Sequence, residues 1–232
     1  MNTQFSFNPH RYDLWKIYNI IKKYYPIGIG RREMKGIYPE YNGIKLIEKE
    51  IVKNIHDNVC YKDNWLSFSS KIGEELGITV LDTTYGQAPS FSSSVLVNEL
   101  KFDTLVHVKK INYSVSLLGD FYQIYGVDET VVKDFEDNKR FPATNSITVS
   151  PHEEFAKVFE FVEQKIQSKF PEHRIIPYDF GQMIIRGLEV RYSDDIDCSI
   201  NEALFNNFLI EKNIPISIRG NRNYGKEVWL KA

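Results

Sequence analysis

The sequence predicts an α+β fold: a mainly antiparallel sheet packed with helices and preceded by a helical N-terminal third. Three observations carry this reading. Apolar residues recur every three or four positions up to about residue 77, which is the helical period. Beyond residue 78 they alternate instead, as in half-buried strands. No βα unit repeats, so a doubly wound parallel sheet is not indicated.

Five helices are expected, at 9–25, 44–56, 64–76, 151–169 and 200–209. Asn8 and Pro9 suit the N-cap and first turn of the first, which Pro26 stops. The glycine-rich stretch 26–43 reads as a long loop. In the second helix Ile44, Ile47, Ile51 and Ile55 share a face, and Gly77 is placed as the C′ residue of the third. Ser150-Pro-His-Glu153 and Ser199-Ile-Asn-Glu202 both have the capping-box spacing, in which serine and glutamate side chains satisfy orphan amides reciprocally.

Strands are expected at 78–83, 95–97, 105–118, 121–125, 174–178, 183–192, 214–218 and 227–230, with serine-rich 85–94 as a loop. Within 105–118 the alternation slips. Val106 and Val108 occupy even positions, whereas Ile111, Tyr113, Val115 and Leu117 occupy odd ones. A one-residue slip exchanges strand faces, so a bulge or turn is expected near Lys109-Lys110. Gly119-Asp120 has the form of a tight hairpin turn. One continuous core over 1–232 is the expected organisation, with 9–77 as the segment that could form a helical subdomain.

The 232 residues carry 29 basic and 31 acidic side chains, a net charge of −2. That balance has no basic stripe, so nucleic acid is not an expected partner. No apolar run reaches the ~18 residues needed to span a bilayer, so no membrane partner is expected. The two cysteines, Cys60 and Cys198, form no CxxC pair, and free thiols in a reducing cytoplasm are expected.

Several near-motifs lack the chemistry they suggest. Gly220-Asn-Arg-Asn-Tyr-Gly225-Lys226 matches part of a phosphate loop. Glu227 stands where the magnesium-binding hydroxyl belongs, and five residues cannot supply the helix that follows. Gly28-Ile-Gly30 follows a helix rather than a strand, so it does not open a dinucleotide site. The five histidines are dispersed without metal-ligand spacing. No cofactor or metal is expected.

Two features suggest a binding surface. Asp194, Asp195 and Asp197 share a strand-to-helix junction, where they would shape the turn and could face a basic partner. Tyr38, Tyr41, Tyr85 and Phe91 lie in stretches read as loops, where aromatic rings supply contact area. The expected function is therefore a non-enzymatic, cytoplasmic protein-binding protein, of which a bacterial immunity or antitoxin-type inhibitor is one form. The rival is an enzyme whose site is assembled from dispersed residues, with His107, Arg186, Asp194, Asp195 and Asp197 as candidates. A deep cavity joining His107 to a carboxylate would favour the enzyme.

Overall fold

A computed structural model describes residues 11–32, 36–134, 139–206 and 216–231. The N-terminal third is helical: α1 (Trp15–Tyr24), α2 (Ile37–Glu40), α3 (Asn42–Ile51), α4 (Asn58–Tyr61) and α5 (Ser67–Leu76). Wide π turns at Val52–His56 and Lys62–Leu66 flank α4. The stretch read as a loop up to residue 43 thus contains α2 and the start of α3. Gly43 permits this, because a Cβ there would lie 2.4 Å from the Tyr24 carbonyl oxygen, so α1 and α3 meet at backbone distance. Gly77 closes α5 in the left-handed conformation, as expected. Residues 9 and 10 of the first expected helix lie outside the described residues, and the helix itself begins at Trp15.

The sheet is an antiparallel meander of β1 (Val80–Asp82), β2 (Ser90–Lys101), β3 (Leu105–Ser116), β4 (Phe121–Asp134) and β5 (Lys139–Thr148). After it come α6 (Ala156–Lys169), β6 (Arg174–Ile175), α7 (Tyr178–Gly181), α8 (Ile200–Leu204) and β7 (Ser217–Arg219). The two short strands β6 and β7 pair in parallel with β4 and β5. The α+β class with a mostly antiparallel sheet is therefore what the chain adopts.

Several local expectations are corrected. Residues 90–94, four serines and Phe91, are not a loop but part of the buried inner half of β2. Small hydroxyls fit there because their polar atoms find partners in the interior: Ser69 meets Ser93, and Ser90 donates to the Phe205 carbonyl. No bulge interrupts β3, which pairs with β4 in one register from Leu105↔Val132 to Val115↔Tyr122. The bulge sits across the ladder in β2, between Leu96 and Asn98, opposite Lys110 and Lys109. The phase slip in β3 has another cause: Ile111, Tyr113 and Val115 face the helices, whereas Val106 and Val108 face the other side.

Residues 183–192 form no strand, only a bridge of Ile184 to Ser199, and 227–229 is a 3-10 turn. The capping box at Ser199–Glu202 forms in full. That at Ser150–Glu153 does not, because the Ser150 hydroxyl instead accepts from the Asn221 amide at 2.8 Å. Residues 207–209 and 214–215, expected as helix end and strand start, lie outside the described residues.

Helices α5 and α6 cover the inner half of one sheet face. Trp65, fully buried, stacks on Phe91 at 5.2 Å, tilts against Tyr113 and donates to the Ser92 carbonyl. Helices α1 and α3 pack with segment 176–205 and Trp229 in an adjoining cluster. Trp65 joins the helical third to the sheet, and Trp65→Ala should destabilise the fold by about 3–5 kcal/mol, read from denaturant unfolding. The thiols are free, Cys198 buried and Cys60 partly exposed. Burial, then the Glu202 carboxylate, pushes the Cys198 thiol up to about 12. Native alkylation at pH 8 should therefore label Cys60 alone, with Cys198 reacting only after denaturation.

Candidate functional site

Burial falls along all four long strands from one end to the other. Residues 90–95, 113–116 and 121–127 are buried, whereas 98–104 and 132 are exposed. The outer ends of β2 to β5 project beyond the helices. Side chains directly opposite one another share a face, so register defines the surface there. Leu100 pairs with His107, Leu105 with Val132, and Val132 with Phe141. These belong to the helix-side face, which at its inner end holds the Ile111–Tyr113–Val115 core. Phe102 stands at the β2–β3 turn, its amide bonded to the Leu105 carbonyl. Leu100, Phe102, Val132 and Phe141 are 48%, 57%, 47% and 54% exposed, enough for a partner to bury substantial further area on each.

The edges of this projection are protected against indiscriminate strand pairing. Among the described residues β1 pairs with only Ser93–Val95 of β2, and β7 with only Ser146–Thr148 of β5. The free part of β2 carries the bulge and a Glu99–Lys101 ion pair of 2.7 Å, and the free part of β5 carries Pro142. Bulges, charges and proline are the devices that blunt an edge. The exposed face, rather than the edge, is left for contact.

Between this face and the helices lies a polar band. His107 Nε2 is 2.7 Å from Asp128 Oδ1, and Asn145 Nδ2 donates to Asp128 and to Thr130 Oγ1 at 2.8 and 3.0 Å. Burial opposes ionisation of Asp128, but the Asn145 and His107 hydrogen bonds outweigh it and hold the carboxyl below its ordinary range. Lys109 and Arg219 both bond Glu154, at 2.7 and 3.1 Å, and Arg219 also pairs with Glu153. His107 thus meets a carboxylate, but it is Asp128 rather than Asp194, Asp195 or Asp197. The recesses of about 340 and 380 Å³ in the sheet are lined from the opposite face, by Ser94, Lys110 and Glu129 among others.

The residues singled out from the sequence divide between surface and interior. Asp194 is exposed but already paired with Arg31 and Arg32 at 3.1 and 2.7 Å. Asp195 meets the Ser193 hydroxyl, and Asp197, at φ 66°, accepts from the Gly187 amide at 2.5 Å. Much of the acidic junction is therefore spent on the turn and on nearby arginines. Arg186 is exposed. Tyr38 and Phe91 are buried, Tyr38 donating to the Glu189 carbonyl and Phe91 stacking on Trp65. Tyr41 donates to the Lys22 carbonyl, and exposed Tyr85 sets its ring edge-on to Tyr192. The sheet-end residues were missed, because exposure of Leu100, Phe102, Val132 and Phe141 depends on where the helical layer stops. Lys226, from the rejected phosphate-loop match, is bound to Asp179 at 2.7 Å.

Comparison of the chain with family models, curated proteins and solved structures finds no match. Among the described residues, no helix is long and apolar enough to cross a membrane.

The polar band has a measurable pH signature. Hydrogen bonds from Arg219 and then Lys109 lower the Glu154 carboxyl from 4.5 to about 2. A folded-state pKa below the unfolded value adds stability above the unfolded value and loses it as pH falls through the folded one. The melting-temperature gap between wild type and Glu154→Gln should therefore be open at pH 7 and close between pH 4.5 and 2. A gap independent of pH would contradict this account.

Proposed function

We propose that this is a non-enzymatic protein-binding protein whose contact surface is the projecting end of the β2–β5 sheet. The observation that carries the reading is the set of half-exposed apolar side chains gathered at this end, Leu100, Val132 and Phe141 on the helix-side face and Phe102 at the adjoining turn. Exposed apolar side chains gathered at one end of a sheet are costly to leave in water and are used mainly at contacts with partners. The blunted edges support recognition through side chains rather than through strand addition. Asp194 and Tyr85, although exposed, stand by the inner end of β2 and residues 191–192, so they lie outside this contact. An immunity-type or antitoxin-type inhibitor is one form such a protein takes.

A second reading, an enzyme, has the 2.7 Å His107–Asp128 contact in its favour. It would require substrate to approach the helix-side polar band.

The test is capture from extract of the native cell by tagged protein, followed by affinity measurement on the partner identified. Completing the burial of a half-exposed phenylalanine contributes roughly 1 kcal/mol. Phe102→Ser combined with Phe141→Ser should therefore weaken Kd about thirtyfold and leave the melting temperature nearly unchanged. Unchanged affinity in that double variant would place the contact elsewhere.

A further inference from the structure

A second concavity lies away from the sheet end, where α3 and its π extension face residues 86–87 and 191–192. Its volume is about 340 Å³, within the range of small-molecule sites. The floor is apolar, formed by Ile44, Ile47 and Ile51 of α3 with the ring of Tyr25. The hydroxyls of Tyr25 and Tyr192 are both spent, donating to the Ala203 and Glu202 carbonyls, so the rings bring apolar faces without a polar demand.

The rim is polar and held in place. The π turn Val52–His56 carries His56 across to the Gly86 carbonyl, 2.9 Å away, which fixes the wall opposite Arg191. Such wide turns recur at functional sites. The backbone under Arg191 is pinned by Arg31, whose guanidinium donates to the Val190 and Arg191 carbonyls at 3.4 and 2.6 Å. Arg191 itself bonds Glu48 through Nη1. Its other N–H groups, and the Gln87 amide, make no hydrogen bond to any described residue. A guanidinium anchored on one side by a carboxylate keeps a planar fork of donors for an anionic oxygen on the other.

We infer that this bowl binds a small aromatic anion, with its ring system on the isoleucine floor and its charged group at Arg191 and Gln87. The site uses none of the sheet-end residues, so it stands or falls independently of the proposed partner surface.

The probe is 8-anilinonaphthalene-1-sulfonate, a naphthalene and a phenyl ring joined through nitrogen and carrying one sulfonate, compared with uncharged N-phenyl-1-naphthylamine, which has the same rings without the sulfonate. Fluorescence titration of the whole chain should give one saturable site for the anion, with the uncharged probe at least fivefold weaker. Arg191→Ala should weaken the anion at least fivefold and change the uncharged probe less than twofold. Val52→Trp, a rim position 60% exposed, should fill the bowl and abolish both. Gln87→Trp takes its place should that variant not melt cooperatively. Phe102→Ser combined with Phe141→Ser should change neither. Absence of saturable binding, indifference to the bowl variants, equal weakening of both probes by Arg191→Ala, or loss in the sheet-end variant would overturn the assignment.

Discussion

The uninterrupted pairing of β3 with β4 is the constraint on which the rest of the molecule depends. The expected two-residue turn at Gly119-Asp120 is a four-residue connection, 117–120, because β3 ends at Ser116. From it the two strands run in one register to Leu105↔Val132. Every neighbour is placed by that ladder: β2 and β5 pair with its outer sides, and β6 joins β4 at the inner end. A strand the length of the fourteen-residue β4 spans about 46 Å. The fourteen-residue α6, rising far less per residue, spans about 21 Å. That helix is less than half the length of the strand, and the described helices leave one end of this sheet face exposed.

What the chain places at the uncovered end follows from this mismatch. A uniformly polar end would need no further device. Here the exposed face keeps leucine, valine and phenylalanine, while the bulge near Val97, the Glu99–Lys101 pair and Pro142 defend the edges. The polar band of His107, Asp128, Asn145, Lys109, Glu154 and Arg219 marks where the face changes from core to surface. Burial of Ile111 and Tyr113 on one side of it and exposure of Leu100 and Phe141 on the other make the transition sharp.

Much of the fold was legible in the residues, because period and caps are local properties. The apolar stripes of α3 and α6, the glycine ending α5 and the Ser199–Glu202 capping box all form where their spacing indicates. The failures arise where tertiary contacts override a local signal. The serines at 90 and 92–94 look like loop by composition, yet they pack in a buried strand where Ser90 and Ser93 find hydrogen-bond partners. The Ser150 side chain is drawn away from its own helix by Asn221. The phase slip in β3 was visible, but one strand cannot reveal whether it bends or changes its buried face. Of the candidate contact residues, Tyr38 and Phe91 belong to the interior, since an aromatic ring in a glycine- or serine-rich stretch carries no mark of which way it turns.

The claim that matters most is that the uncovered end of the sheet is where this protein meets another. Amide hydrogen exchange of the protein alone and of its purified complex measures this directly. The account predicts that added protection concentrates in 97–107 and 129–143, with Lys109 and its inner neighbours little changed. Protection confined to 85–87 and 191–197, with the sheet end exchanging as in the free protein, would contradict it.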